Sequence, residues 1–402
     1  MIRYFSFKNF KSYRSETIFD FKAAAIPEFK ESLLKSPNRD GDILPVSVLY
    51  GPNGGGKTNL LQALACLITM VVRPVAELEK NREELVLQNY VACQPYLLDE
   101  TSRDEPTEFQ IYFRIKSNEY RYYISVAKGE VISESLYWRA IGGHKTGTVF
   151  ERERSEITLG SNINKISVNR QVNPKMPYLS FLAINYDIPV VAEVVKWFES
   201  CIIRSYAVPE VDRQILVSDD AGLKKKIIRA LNDLDIDIID YRFDPVEQEM
   251  YTKRDLDGNI YELPFSSESD GTKKLLAALP ILLVALQDGR LVIIDELDAK
   301  LHPKLLRYII RLFKNPDINR NGAQLIFSSH DLTTMRNNVF RRDEIWFSAL
   351  ERNHESRIYS LYDIRDENDR HVNSTSAYDK QYMEGRYGAD PYLENLLGEE
   401  WS

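Results

Sequence analysis

The sequence predicts an α/β protein whose head is divided along the chain by an inserted segment. Three observations predict this. The apolar strand "PVSVLY" runs directly into "GPNGGGKT" and then into the helical stretch "NLLQALACLITMVV". Residues 265–350 alternate strand and helix, as a mostly parallel sheet requires. Between these two parts the chain changes character, first to alternating strands and then to helical patterning.

The elements follow in order. "IRYFSF" and "ETIFDF" alternate apolar and polar residues and read as two opening strands, while residues 22–43 read as loop, with Pro27, Pro37 and "NRDGD" as turn signals. Residues 1–84 thus form the first part of the head. Residues 85–187 form a strand-rich lobe: "TEFQIYFRI", "YRYYISVA" and "EVISESLYWRA" are separated by the turns "KSNE" and "AKGE". Residues 188–264 read as a helical lobe, with helices at "VVAEVVKWFESCII" and "GLKKKIIRALNDL". The head resumes over 265–370 with strand "RLVIIDE", helix "PKLLRYIIRLFK", strand "AQLIFSS", a helix beginning at Asp331 and strand "EIWFSAL". Residues 371–402 are a polar and aromatic tail with a helix near "AYDKQYMEGRYG".

Composition excludes several classes. The 402 residues are 44% hydrophobic and 28% charged, an ordinary globular balance. The opening "MIRYFSFKNFKSYRSE" has no apolar core of a secretory signal, and no run approaches 18 uninterrupted apolar residues. Cys66, Cys93 and Cys201 are far apart in sequence and form no CxxC pair, which argues against zinc and a disulfide framework and for burial as small hydrophobes. A cytoplasmic protein is expected. The net charge of −8 argues against a surface that coats nucleic acid throughout, though it leaves room for a local basic patch.

The motifs carry phosphate chemistry. In "GPNGGGKT" Gly51, Gly56, Lys57 and Thr58 stand at the P-loop positions, after a strand and before a helix. Glycines let backbone N–H groups curl around phosphate oxygens, and the helix start adds its dipole. Lys57 reaches the β- and γ-phosphates and Thr58 binds Mg²⁺; Asn53, Gly54, Gly55 and Asn59 complete the nucleotide-binding set. In "LVIIDE" two carboxylates fall where a buried strand leaves the core. Asp295 is placed to hold Mg²⁺, and Glu296 to orient or deprotonate the attacking water. "LIFSSHD" repeats that layout, so His330 can donate to a γ-phosphate; the plainer alternative has Asp331 capping the next helix and His330 simply exposed. In "SSESDGTKKLL" Ser269 and Gly271 precede a helix whose unpaired N–H groups offer a second anion cradle, although an N-cap alone would explain the serines.

In this order the motifs resemble ATP-binding-cassette (ABC) ATPases of the non-transporter kind: SMC-type chromosome proteins, RecF-like repair ATPases and the OLD family. "SSESDGTKKLL" resembles a divergent signature motif, "DELDAKLHP" a Walker B with its D-loop, and "FSSHD" a histidine switch. "FKNFKSY" is similar to the group's first strand, whose basic residue, Lys11 here, approaches the nucleotide. Together with the tail "YMEGRYGADPYLENLL", the motifs resemble most closely the AbiL/Rlo-type ATPases of phage defence, related to the AriA subunit of the PARIS system.

The resemblance implies a P-loop NTPase head of ABC-ATPase type, split in sequence, that binds ATP with Mg²⁺ at Thr58 and Asp295. It implies Glu296, Lys57 and His330 as the catalytic set. Ser269 and Gly271 of one subunit would close over the γ-phosphate held by another, in a homodimer or higher homo-oligomer. It further implies a separate effector, a nuclease, that the ATPase restrains or activates, with no membrane. Nucleic acid would be met through that effector or through a basic patch. "KKKIIR" (Lys224–Lys226, Arg229) and "FRRDE" (340–344) are the two basic runs, each equally readable as a wet surface. "YDIRDENDR", with Asp363, Asp366, Glu367 and Asp369, reads as a solvated loop rather than a nuclease centre. The alternatives are a RecF-like DNA-repair ATPase that clamps duplex DNA and, less fittingly, the nucleotide-binding subunit of a transporter.

Overall fold

The computed structural model describes residues 1–36, 40–78, 91–161, 163, 167–205, 221–247, 249–299, 301–366 and 369–389. The chain begins with strands β1 (Ile2–Lys8), β2 (Thr17–Asp20) and β3 (Val46–Tyr50), then helix α1 (Lys57–Ala76). Next come β4 (Thr107–Ile115), β5 (Asn118–Ala127), β6 (Glu130–Ala140), β7 (Gly147–Glu153) and β8 (Glu156–Leu159). Helices α2 (Tyr178–Asn185) and α3 (Pro189–Ser200), strand β9 (Ile202–Ser205) and helix α4 (Ala221–Asn232) lead to β10 (Asp240–Asp244), β11 (Glu249–Leu256) and β12 (Asn259–Pro264). Helix α5 (Asp270–Asp288), β13 (Leu291–Asp295), α6 (Pro303–Lys314), β14 (Gln324–Ser328), β15 (Ile345–Leu350), β16 (Ser356–Ser360) and α7 (Tyr378–Met383) complete it.

The central six-stranded sheet runs β16-β15-β3-β14-β13-β9, parallel except for β16. Its inner strands β3, β14 and β13 are buried at every position but Asp295, because both faces are covered. On β13, Leu291 and Ile293 face one core, while Val292 and Ile294 face the other. On the first side α1 lies between this sheet and a seven-stranded antiparallel sheet, β2-β1-β4-β5-β6-β7-β8. By length and apolarity α1 is one helix that could cross a bilayer, but 67% of that apolar window is buried here. On the second side Ala278, Leu282 and Ala285 of α5, Leu306, Ile309 and Phe313 of α6, and the tyrosines Tyr378, Tyr382 and Tyr387 fill the other core. Helix α5 also turns Leu275, Leu276 and Leu279 into a third core, shared with α4 and with Tyr241 and Met250 of the three-stranded sheet β10-β11-β12.

Several expectations are revised. The strands of 107–159 share one sheet with β1 and β2, because β4 pairs with β1 from Ile2↔Phe113 to Lys8↔Glu108. Within 188–264 the helices α3 and α4 are joined by four strands. Strand β9 enters the central sheet beside β13, through Ile202↔Val292 and Ile203↔Ile293. Strands β11 and β12 form a hairpin at Asp257-Gly258, both with positive φ (54° and 87°), the turn that matches strand twist. The helix expected from Asp331 is a single 3₁₀ turn, Leu332–Thr334, although Met335 and Phe340 beyond it are buried in the second core. Cys66 and Cys93, distant in sequence, are neighbours. A hydrogen bond between their thiols pushes Cys66 up and Cys93 down. The acidic stretch at 363–369 ends in a bridge, Arg365↔His371, and Glu367 lies outside the described residues.

Candidate nucleotide site

The site forms at the C-terminal edge of the central sheet, where β3, β13 and β14 lie side by side. After β3 the chain turns through Gly51 (φ 146°), where a Cβ would stand 2.1 Å from the Ser348 carbonyl oxygen. Gly56 (φ 106°) caps α1, and a Cβ there would meet Ser356 Oγ at 2.5 Å and the Tyr13 hydroxyl at 2.9 Å. These two glycines are what let the loop wrap tightly against β15, β16 and the N-terminal hairpin. Asn53 and Gly54 are exposed at the loop's tip. Gly55 is held below them by Ser348 Oγ, which donates to its carbonyl at 2.5 Å.

Lys57 is buried, and its ammonium donates to the carbonyls of Gly51 (2.8 Å) and Pro52 (3.0 Å). Burial lowers its pKa below the ordinary lysine value, against the opposing pull of Asp295, Glu296 and Asp298. Thr58 Oγ1 donates to Asp295 Oδ2 at 2.9 Å, and Ser328 Oγ donates to Asp295 Oδ1 at 2.5 Å. Ser328 Oγ in turn accepts from the Glu296 amide at 2.8 Å. One serine therefore ties β14 to both carboxylate positions after β13. A hydroxyl and a carboxylate brought together form an all-oxygen donor pair that fits Mg²⁺.

Glu296 is exposed and adopts φ 52°, the left-handed region. His330 is also exposed; its amide donates to Asp298 Oδ2 at 3.0 Å. Asp331 caps the 3₁₀ turn through Thr333 N (2.9 Å), as the plainer reading of that motif held. Lys11 (φ 49°) lies beside α1 with its ammonium on Gln62 Oε1, and burial lowers its pKa. The nearby contacts to the first turn of α1 come from its neighbours. Asn59 Nδ2 donates to Ser12 Oγ (2.8 Å), and the Tyr13 hydroxyl donates to the Gly56 carbonyl (3.1 Å).

Ser269 is the N-cap of α5: its Oγ accepts from Thr272 N at 3.1 Å, and Gly271 lies within the first turn. Among the described residues the polar contacts of Ser269 are to Thr272 and Lys273 of its own helix start, none to the chain's own P-loop. Residues without an evident sequence signal complete the picture. Glu268 accepts from Arg254 (2.7 and 2.8 Å) and from Thr252 Oγ1 (2.5 Å), fixing the entry into α5. Part of each basic run is engaged in structure: Lys224 pairs with Asp240 and Lys226 with Gln287, while Arg341 is buried on Asp343 and Arg342 pairs with Glu28. A cavity of about 900 Å³ around Met1, Trp197 and Arg290 lies toward the opposite end of the sheet.

Residues 46–336, which span the P-loop, the α5 start, Asp295-Glu296 and His330, match the family described as "AAA domain, putative AbiEii toxin, Type IV TA system". The chain belongs to this family. Its fold is that of a P-loop ATPase, with the phosphate loop, the acidic pair and the histidine following three adjacent parallel strands. No curated protein matches the chain. Among solved structures it is similar to the SMC head domain from Thermotoga maritima, at 15% identity and TM-score 0.47, covering 89% of this chain and 98% of that one. It is also similar to an Smc head bound to the C-winged helix domain of ScpA (13%, TM-score 0.39, 89% and 97% covered). A third is the Smc head domain with a coiled coil and joint from Pyrococcus yayanosii (11%, TM-score 0.43, 90% and 97% covered). At these scores the likeness is a loose one of backbone course.

Proposed function

We propose that this chain is an ATP-binding and ATP-hydrolysing switch that works as a cytoplasmic homodimer or higher homo-oligomer and controls a separate toxic effector, a nuclease, in antiphage defence. The observation that carries the ATPase is the contact chain Thr58–Asp295–Ser328–Glu296, which joins the loop that grips phosphate to the residues that act on water. Thr58 and Asp295 would hold Mg²⁺, which when bound neutralises charge on the β- and γ-phosphate oxygens. Lys57 would exchange its two loop carbonyls for phosphate oxygens, a stronger charge-assisted pairing. Glu296, exposed at the strand end, would accept the proton of the attacking water, and His330 would donate to the γ-phosphate. Lys11 would approach the nucleotide from the N-terminal hairpin by leaving Gln62.

The pairing of subunits is supported by Ser269, whose side-chain contacts among the described residues are to Thr272 of its own helix start. The defence role is supported by the family's description, which names an abortive-infection toxin and a toxin–antitoxin system, and by the motif resemblance to AbiL/Rlo-type ATPases and AriA. A duplex-clamping role of RecF type finds less support, since Lys224, Lys226, Arg341 and Arg342 of the two basic runs are held by acidic or amide partners.

The test is co-expression with the neighbouring gene product. The expected result is a complex whose nuclease activity changes with ATP, together with ATP-dependent dimerisation by analytical ultracentrifugation. Steeply salt-dependent binding of duplex DNA by the chain alone, strengthened by ATP, would replace this reading with the repair one.

A further inference from the structure

We propose that Lys274 is a positioning residue that sets the backbone of Glu296 and links it to the second anion cradle at Ser269. This rests on the ATPase reading above. Lys274 lies one and a half turns into α5 and is fully buried. Its ammonium donates to the Glu296 carbonyl at 3.1 Å and to the Ala299 carbonyl at 2.5 Å. Both acceptors lie in the turn that follows β13, so a residue of the cradle helix holds the backbone of the acidic pair.

The need for such a clamp is visible in the turn itself. Glu296 is non-glycine at φ 52°, a conformation that persists only where the surroundings over-determine it. Two groups do so here from opposite sides. Ser328 Oγ takes the Glu296 amide, and Lys274 Nζ takes its carbonyl. The Ala299 amide adds a turn bond to the same carbonyl at 3.1 Å. Without the ammonium the Glu296 carbonyl keeps its turn bond from Ala299 but loses its charged donor, and the turn that positions the carboxylate is held less firmly.

The second consequence is mechanical. Ser269 and Lys274 are five residues apart on one helix, about 7.5 Å along its axis. Leu275, Leu276 and Leu279 pack the same helix into the third core. A phosphate closing on the start of α5 therefore pushes a rigid rod whose next inward side chain grips Glu296. Occupancy of the cradle and placement of the base are coupled through Lys274.

The experiment uses the full chain and Lys274→Met, which keeps the stem and removes the ammonium. Amide hydrogen exchange over 293–299 is compared with wild type, with 303–314 as internal reference. Exchange at 296–299 should accelerate about tenfold, as the loss of a charged hydrogen bond implies, while the reference is unchanged. Steady-state hydrolysis should lose about 10²-fold in kcat with KM for ATP altered by less than about threefold, the signature of misplacement rather than lost binding. Unchanged exchange, or unchanged kcat, overturns the proposal. Should Lys274→Met fail to melt cooperatively, Lys274→Gln is read by the same two measurements and the same limits. A wild-type chain that binds no ATP would overturn the ATPase reading instead, and the exchange comparison would still decide whether the clamp exists.

Discussion

The central sheet and the antiparallel sheet are packed against the same helix, α1, yet their buried charges sit in different places. In the central sheet every strand but β9 has five or six residues, and the groups of the candidate site gather at or just beyond the strand ends: Lys57 and Thr58 after β3, Glu296 after β13, His330 after β14. In the antiparallel sheet, with strands of up to 11 residues, the charges lie within the strands. Glu119 on β5 accepts from Arg3 (2.8 Å), Arg114 (3.1 Å) and Arg139 (2.7 and 2.9 Å), and so joins β1, β4, β5 and β6. Glu134 on β6 accepts from the Tyr122 hydroxyl (2.9 Å) and from the Tyr178 and Leu179 amides (2.5 and 2.9 Å), pinning α2 to the sheet. Strand-end charges remain open to a ligand. The carboxylates of Glu119 and Glu134 are taken up by groups within the fold, and they specify register instead.

The largest expected effect tests the first half of that contrast. Glu296→Gln should lower turnover by about 10³-fold while ATP binding and the melting temperature stay at their wild-type values. Phosphate release, filter binding and a thermal melt check the three together. A drop in melting temperature would mean that Glu296 is scaffold after all. Next in size is the mirror experiment in the other sheet. Glu119→Gln leaves three arginines around a neutral amide and should cost about 3 kcal/mol of stability, the low end for a broken buried pair because Arg3 and Arg139 reach solvent. Urea unfolding measures the loss. The KM for ATP should not move.

The two glutamates also differ in the sign of their pH dependence. Burial raises the Glu119 carboxyl, but hydrogen bonds from Arg139 and the charges of Arg3 and Arg114 outweigh it and leave the pKa below its ordinary 4.5. Its contribution is therefore complete above pH 4.5 and disappears as the pH falls through the lower folded value. For Glu134, burial prevails over its hydrogen bonds and over Arg152, and the folded pKa is raised. The folded chain takes up that proton more readily than the unfolded one, so this contribution increases as the pH falls through the raised value. Melting temperatures between pH 7 and pH 3 should fall less steeply in Glu119→Gln than in wild type, and more steeply in Glu134→Gln.

The same contrast explains what the sequence made legible. The P-loop and "LVIIDE" stood out because chemistry at strand ends leaves a local mark: an apolar run, then glycines or acids. Ser328 and Lys274 left no such mark. A serine closing an apolar strand and a lysine in a helix start are ordinary residues until the fold brings them to Asp295 and to the Glu296 carbonyl. Register in the antiparallel sheet was equally hidden, since the alternation of "IRYFSF" does not say which strand is its partner. Within 188–264 the signal was present but short. "CIIRS" is too brief to separate a buried strand from the end of a helix, whereas Asp257-Gly258 between alternating runs was a readable hairpin.

The smallest expected effect bears on whether the open strand-end charges suffice within one chain. Ser269→Ala removes the N-cap of α5, whose Oγ accepts from Thr272 N at 3.1 Å, and should cost about 1 kcal/mol of stability. That loss is what a cap alone predicts, and Ser269→Asp, which caps equally well, should restore it. A hydroxyl that closes over a partner's γ-phosphate predicts something else for the aspartate variant: full stability, normal ATP binding, and no ATP-dependent dimer, because a carboxylate at that position repels phosphate. Thermal melts and sedimentation with ATP separate the two. If Ser269→Asp dimerises and turns over like wild type, Ser269 belongs with Glu119 among the scaffold, and its hydroxyl does not close over a partner's nucleotide.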